Sequence, residues 1–314
     1  MADLAAGSGR APKLAIMTKR RWTADDLPDL TGRTVVVTGA ASGVGRGTAT
    51  AFAAAGARTV LAVRDVAAGE RAAAAMSGTT EVRELDLANL ASVRAFAEGW
   101  QGELDILVNN AGVAMTPFGC TADGFELQFG TNHLGHFALT NLLLPQLTGR
   151  VVTVASGAHK AGVLDLDDLD FARSGYSPVK AYGRSKLANL LFTLELERRC
   201  REAGSPVRAL ASHPGYSATN LGTKGRNPYL VKVAHLAGRY LAQTEAQGAL
   251  PSLYAATQDL PGASYVGPDG RFEMHGHPAL VGRSAAASDP VLARRLWEAS
   301  ERLTGVTCPL TAKS

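Results

Sequence analysis

Thr34-Val-Val-Val-Thr38-Gly39-Ala-Ala-Ser42-Gly43-Val44-Gly45 is the stretch that sets the fold. The β-branched run 34–38, bounded by Gly32 and Gly39, predicts a short buried strand. The pattern over 46–55 predicts a helix, so the glycines fall in the turn between strand and helix. Glycine accepts positive φ and leaves no Cβ between the backbone and a ligand. The helix start behind it presents free N–H groups and a positive dipole end, which suits a pyrophosphate. The spacing is G-x-x-x-G-x-G, not the commoner G-x-G-x-x-G. The strand before it and the helix after it separate it from an ordinary tight turn.

Outward from this turn, strands alternate with helices. Strands are expected at 58–63, 81–85, 105–109, 150–155 and 207–212, with a last short one near 263–266. Helices are expected at 66–76, 89–100, 126–147 and 179–203. Such alternation predicts an α/β fold, a doubly wound parallel sheet with right-handed crossovers. Ligands of such sheets bind at the carboxyl ends of the strands. Gly39, Asn109, Ser156 and Pro214 each follow a predicted strand, so scattered residues converge on one edge. No repeat or linker divides the chain. A single domain is expected over about 26–310, interrupted by an insertion over about 216–260, behind a flexible Ala- and Gly-rich extension at 1–25.

Of 314 residues, 46% are hydrophobic and 19% charged, which provides for a sizeable core and excludes a disordered profile. No apolar stretch approaches the ~20 residues that span a bilayer, and Leu14-Ala-Ile-Met17 is too short for a signal h-region. No membrane anchor is expected. The net charge of +4 is mild, and Lys19-Arg20-Arg21 reads as a solvated tail and not a nucleic-acid arm. Cys120, Cys200 and Cys308 fit neither a zinc pattern nor a disulfide framework, and a reducing cytoplasm suits them. No His/Asp/Glu cluster points to a metal, and His133, His136, His159 and His213 read as structural.

Tyr182-Gly-Arg-Ser-Lys186 places a phenol and an ammonium on one helical face. A free phenol titrates near pH ~10, too high for acid–base work at neutral pH. A neighbouring cation lowers that value. A shift of ~3 units needs roughly 4 kcal/mol, so a second positive charge is required beside the lysine. Taken alone, the spacing also describes a surface Tyr and Lys on an amphipathic helix.

Thr38-Gly39-x-x-x-Gly43-x-Gly45, Asn109-Asn110-Ala111-Gly112 and Tyr182-x-x-x-Lys186 together resemble the short-chain dehydrogenase/reductase family, over roughly 30–305. Asn132-His-Leu-Gly-His-Phe137, Ser185-Lys-Leu-Ala-Asn189, His213-Pro214-Gly215 and Ala293-Arg-Arg-Leu-Trp297 resemble its retinol-dehydrogenase-like branch. The resemblance implies a Rossmann fold and hydride transfer between a nicotinamide cofactor and a carbonyl or alcohol. It implies Tyr182 as general acid and base, Lys186 lowering the phenol's pKa and holding the nicotinamide ribose, and Ser156 as donor to the oxyanion. Asn132 would hold a water in a proton relay toward the lysine.

The same resemblance implies cofactor contacts at Gly39, Ser42, Gly43, Val44, Gly45, Leu87, Asn110, Ala111, Gly112, Pro214 and Gly215. Asp86 would meet the adenine and Thr219 the carboxamide, while Asn109 would hold the fourth strand against the glycine turn. Arg64, first after the second strand, implies NADP, because arginine pairs with a 2′-phosphate that an acid would repel. Asp65, one step later, keeps NAD as the alternative, and Arg46 either adds a second phosphate contact or faces solvent. Residues 216–260 would bind substrate, and Tyr229, Leu230, Val233, Leu236 and Leu241 favour a lipophilic carbonyl or secondary alcohol. The family often pairs subunits through the 126–147 and 179–203 helices, whereas the branch also allows a monomer, so the resemblance leaves a homo-oligomer and a monomer as alternatives. The alternative function is a nucleotide-binding regulatory or interaction protein that has lost catalysis. The presence of Asn132, Ser156, Tyr182 and Lys186 favours the enzyme.

Overall fold

The computed structural model describes residues 21–215 and 244–311. The strands are β1 (Thr34–Thr38), β2 (Arg58–Val63), β3 (Thr80–Glu84), β4 (Leu104–Asn109), β5 (Leu147–Val154), β6 (Arg208–Ser212), β7 (Tyr265–Pro268) and β8 (Pro278–Leu280). They form one sheet in the order β3-β2-β1-β4-β5-β6-β7-β8. Every pairing is parallel except β7 with β8. Val35, Val36 and Val37 of β1 have no exposed surface, because helices cover both faces of the sheet. That double cover is why the strand reads as a continuous apolar run. Strand order reverses between β1 and β4, which opens a crevice at their carboxyl ends.

The connecting helices α1 (Gly43–Ala54), α2 (Val66–Ala74) and α3 (Leu90–Glu98) lie within a residue or two of expectation at most ends. The helix expected over 126–147 is different. It is broken into α4 (Leu127–Phe129), a π-helical turn (Gly130–Leu134), α5 (Gly135–Leu143) and a 3-10 turn. Two glycines bracket the π turn where a Cβ would collide: at Gly130 with Thr121 Cγ2 (2.4 Å) and at Gly135 with Leu87 O (2.4 Å). Pro145 lies in the closing 3-10 turn, and β5 then begins at Leu147, earlier than expected. Inserted turns of this kind concentrate at functional sites, and Asn132 lies inside this one.

Three more helices flank the sheet among the described residues: α6 (Pro178–Glu202), α7 (Glu245–Thr257) and α8 (Pro290–Thr304). β8 has three residues, begins with Pro and lies at the sheet edge, where a missing N–H is tolerated. β7 starts at Tyr265, not near 263, because Ala263 adopts φ +58° in the preceding turn. The packed body also begins before the expected boundary at 26. Trp22 packs edge-on against Tyr254 at 5.3 Å between centroids, and its carbonyl meets His277 Nδ1 at 3.0 Å.

Helix α8 starts at the Asp289 cap, which accepts from Val291 and Leu292 N–H, and ends at Gly305 with φ +64°. Its Trp297, 1% exposed, stacks on Phe192 of α6 at 5.7 Å and meets Phe137 of α5 edge-on at 4.8 Å. Helix α8 thus packs against both α5 and α6.

Candidate active site

The glycine turn is held by its neighbour strand. Gly39 and Gly43 take φ of +68° and +58°. A Cβ on Gly45 would lie 2.4 Å from Asn110 Nδ2 and 2.5 Å from Gly39 O. Asn110 Nδ2 donates to Thr38 O at 2.8 Å, and the N–H groups of Asn110 and Ala111 both donate to Thr38 Oγ1 at 2.9 Å. The tie expected of Asn109 is therefore made by Asn110. Successive side chains leave a strand on opposite sides, and Asn109 turns the other way, donating to Thr140 Oγ1 of α5 at 2.9 Å.

Thr38 leads on to a buried histidine. His136 Nε2 lies 2.9 Å from Thr38 Oγ1 and Nδ1 lies 3.0 Å from Asn132 O. The carbonyl requires a proton on Nδ1, so Nε2 accepts from the threonine hydroxyl. Burial pushes the His136 pKa down to about 4, which keeps this neutral tautomer.

A cavity of about 480 Å³ opens over the turn. Gly39, Ser42, Gly43, Val44, Gly45, Arg64, Asp86, Leu87, Asn110, Ala111, Gly112, Tyr182, Lys186 and Pro214 all line it. Gly215 is not among the lining residues, and Thr219 with the 228–241 stretch lies outside the described residues. Asp65 also reaches the cavity, but its carboxylate accepts Ala68 N–H at 2.9 Å as the cap of α2. Arg64 beside it is exposed and has no acid to pair with among the described ion pairs. Arg46 does have one: its Nε and Nη2 bond both oxygens of Glu245 at 2.8 and 2.9 Å. That excludes Arg46 from an open phosphate contact in this arrangement. Glu245 also accepts Gly43 N–H at 3.0 Å, leaving Val44 and Gly45 N–H as donors at the helix start.

Sequence reasoning missed Thr131, which lines the cavity with a buried, unpartnered Oγ1. A continuous helix gives no cue for it; the π turn decides where it points. An orphaned donor beside a glycine turn whose Val44 and Gly45 N–H groups are free is the arrangement a dinucleotide fits.

Tyr182 and Lys186 of α6 line the same cavity as the glycine turn. Lys186 is 4% exposed, donates from Nζ to Val154 O at 2.9 Å and lies 5.7 Å from the Tyr182 ring centroid. Burial pushes its pKa down to about 8. Ser156 begins a 3-10 turn and accepts Ala158 N–H on Oγ at 3.2 Å, which leaves its own proton to donate. Tyr182 lines the cavity, yet desolvation pushes its phenol above the ordinary range, and the Ser156 hydrogen bond pulls it back only in part. The phenol expected to be lowered by the lysine is raised in the free protein, where burial dominates.

Asn132 has no exposed surface. Oδ1 accepts Val113 N–H at 2.8 Å, and Nδ2 donates to Val113 O and Ser185 Oγ at 2.9 Å each. The side chain is a clamp between the loop after β4 and α6, with no donor left for a water. Its backbone carbonyl accepts from His136 Nδ1.

A family model described as short chain dehydrogenase matches residues 33–229. The chain belongs to that family. Retinol dehydrogenase 14 of Homo sapiens is 41% identical over 304 residues, covering 88% of this chain and 87% of the relative. Retinol dehydrogenase 13 of Homo sapiens is 40% identical over 320 residues, covering 96% and 94%. A crystal structure of an uncharacterised protein from Mycobacterium paratuberculosis is 54% identical with a TM-score of 0.82, covering 92% of this chain and 100% of that one. A structure described as an NAD(P)-dependent gluconate 5-dehydrogenase from Beutenbergia cavernae, with NADP bound, is 28% identical with a TM-score of 0.55, covering 73% and 91%.

This short-chain dehydrogenase is accordingly an oxidoreductase of the CH–OH class that uses a nicotinamide dinucleotide. No described helix is long and apolar enough to cross a membrane, and no metal-binding group of side chains occurs among the described residues. One consequence concerns pH. Lys186 is a cation below about pH 8 and loses its charge as pH rises through that value. If its ammonium contacts the dinucleotide, affinity falls above pH 8, because binding then requires uptake of a proton. A fluorescence titration of NADPH from pH 6 to 10 is expected to show that decline in the wild type, and weak, flat binding in Lys186→Met.

Proposed function

We propose that this chain interconverts a carbonyl and an alcohol with NADP(H), with Tyr182 as the general acid and base. The observation that carries this reading is that Tyr182 and Lys186 line one cavity with the glycine turn, with the Ser156 hydroxyl, itself outside the lining, hydrogen-bonded to the Tyr182 phenol. In reduction the Tyr182 phenol gives its proton to the carbonyl oxygen, and in oxidation it receives it. The Ser156 hydroxyl donates to the same oxygen as charge develops there, a contribution of ~2–4 kcal/mol for a well-placed donor. Lys186 uses one of its three donors on Val154 O, and the other two serve the nicotinamide ribose. A nicotinamide held there would supply or accept the hydride. Its oxidised form is a cation, the second charge needed to bring a desolvated phenol toward neutral pH.

Asn132 fixes Val113 and Ser185 around Lys186, so its part is positioning, with its backbone carbonyl as the relay contact. Gly45, Val44 and Ser42 meet the pyrophosphate, Asp86 and Leu87 the adenosine, and Pro214, Gly215 and Thr219 the nicotinamide end. A lipophilic carbonyl or secondary alcohol follows from the apolar residues of 228–241, and the free cysteines suit a reducing cytoplasm.

Arg64 selects NADP. Asp65, the residue that favoured NAD, has its carboxylate turned to α2, and Arg64 is left as the unpaired charge at the adenosine end. A charge-assisted contact of ~1.5–3 kcal/mol is about ten- to a hundredfold in affinity. Arg64→Ser is therefore expected to raise KM for NADPH by that factor and leave KM for NADH unchanged. Equal catalytic efficiency of the wild type with the two cofactors would contradict the choice. The enzyme reading itself is tested by a panel of ketones, aldehydes and secondary alcohols followed at the cofactor absorbance. Tight NADPH binding without turnover of any member would favour the silent nucleotide-binding alternative.

A further inference from the structure

Burial pushes three described arginines, Arg150, Arg184 and Arg283, below their ordinary pKa. Two of them have backbone acceptors. Arg150 donates to Ala255 O at 3.0 Å. Arg184 donates to Val163 O and Asp168 O at 3.2 and 2.6 Å and lies 3.7 Å over the Phe171 ring. Arg283 has neither a carbonyl nor an acid, and its Nη1 is buried without a hydrogen-bond partner among the described residues. A buried donor left unpaired costs about 1–3 kcal/mol, and native interiors hold few of them.

Its neighbours tie Arg283 to the reacting end. The next residue, Ser284, donates its N–H to His159 Nε2 at 3.2 Å, and His159 Nδ1 donates to Ser156 O at 2.7 Å. Burial, chiefly, holds His159 below its ordinary pKa, and the charges of Lys160 and Arg283 push the same way. The ring is neutral with both nitrogens assigned. Tyr265 packs edge-on against that ring at 5.6 Å, is 3% exposed, and also has a buried hydroxyl without a partner. Glu273, the acid whose charge reaches His159, is held between Lys160 Nζ (3.3 Å) and His213 Nε2 (3.1 Å). Two donors without acceptors therefore lie about this imidazole bonded to the Ser156 carbonyl: the Tyr265 phenol, whose ring packs on it, and the Arg283 guanidinium, next in the chain to the Ser284 N–H that it accepts.

We propose that Arg283 is a substrate anchor: the molecule turned over at Tyr182 carries a carboxylate or phosphate that the Arg283 fork receives, with the Tyr265 hydroxyl as a neutral donor beside it. A guanidinium presents paired N–H groups that match such oxyanions edge to edge. This rests on the carbonyl–alcohol reading above and narrows it to substrates with an acidic group along an apolar chain.

The test is steady-state reduction of a matched set: a medium-chain oxo acid, its methyl ester, and the phosphate monoester of the matching oxo alcohol. The wild type is expected to prefer one charged member over the ester by at least about tenfold in kcat/KM, since a site built for a polar group rejects analogues lacking it. Which charged member is preferred tells carboxylate from phosphate. In Arg283→Gln the preference falls to within about threefold of unity, mainly through KM, and Arg283→Lys restores part of it. Tyr265→Phe weakens the preference without abolishing it. Equal use of acid, phosphate and ester by the wild type overturns the inference without any variant, as does a preference that survives Arg283→Gln. Turnover of the ester with either result leaves the carbonyl–alcohol reading standing; no turnover of any member with either cofactor overturns both.

Discussion

Tyr182→Phe is expected to lower turnover by roughly a hundred- to ten-thousandfold while leaving the NADPH dissociation constant within about twofold, the range expected for loss of a positioned acid–base group. The change removes one oxygen. The ring, its place against Lys186 and the floor of the cavity stay as they are. What is lost is the proton donor and the hydrogen bond with Ser156. Ser156 keeps its donor, so a residual rate remains. The loss should fall on kcat and kcat/KM alike, the signature of an interaction made in the transition state. Unchanged turnover, or a loss confined to cofactor affinity, would contradict the role.

Gly45→Ala should act at the other end of the site. Its Cβ would stand 2.4 Å from Asn110 Nδ2 and 2.5 Å from Gly39 O. Asn110 is also the residue that ties β4 to Thr38, so the side chain has no free direction in which to yield. Overpacking of this kind costs about 1–3 kcal/mol, and an effect at the upper end, felt at the turn, is about a hundredfold in nucleotide affinity. Titration of NADPH fluorescence measures the affinity and thermal unfolding measures the stability lost alongside it. Gly119→Ala, whose Cβ would meet only Leu127 Cδ2 at 3.8 Å, is the control expected to change neither. Wild-type affinity in Gly45→Ala would mean that the turn does not carry the cofactor.

The parts of this molecule legible in the sequence are those encoded over short distances. The run 34–45 specifies its own strand, turn and helix start, and Tyr182 and Lys186 share a face because they are one helical turn apart. What was not legible depends on distant partners. Asn109 and Asn110 look alike as neighbours, and only the packed strand shows that Asn110 reaches Thr38 while Asn109 turns to Thr140. The π turn that points Thr131 into the cavity follows from glycines pressed on Thr121 and Leu87. Arg46 looks like a phosphate ligand until Glu245, 199 residues away, is seen to hold it. The phenol's titration was read from its nearest charge, whereas the surrounding packing moves it the other way. Arg283 carried no motif and is noticeable only because its acceptor is missing.

The account turns on a phenol that the free protein keeps protonated and the bound, oxidised cofactor brings toward neutral pH. The most direct test is the ultraviolet absorbance of phenolate, titrated from pH 6 to 10 with and without NADP⁺ and corrected by subtracting Tyr182→Phe. The prediction is that a single phenolate appears near neutral pH only with the nucleotide present, and that the difference vanishes in the variant. Ionisation that is the same with and without NADP⁺, or a nucleotide-dependent signal that persists in Tyr182→Phe, would contradict it.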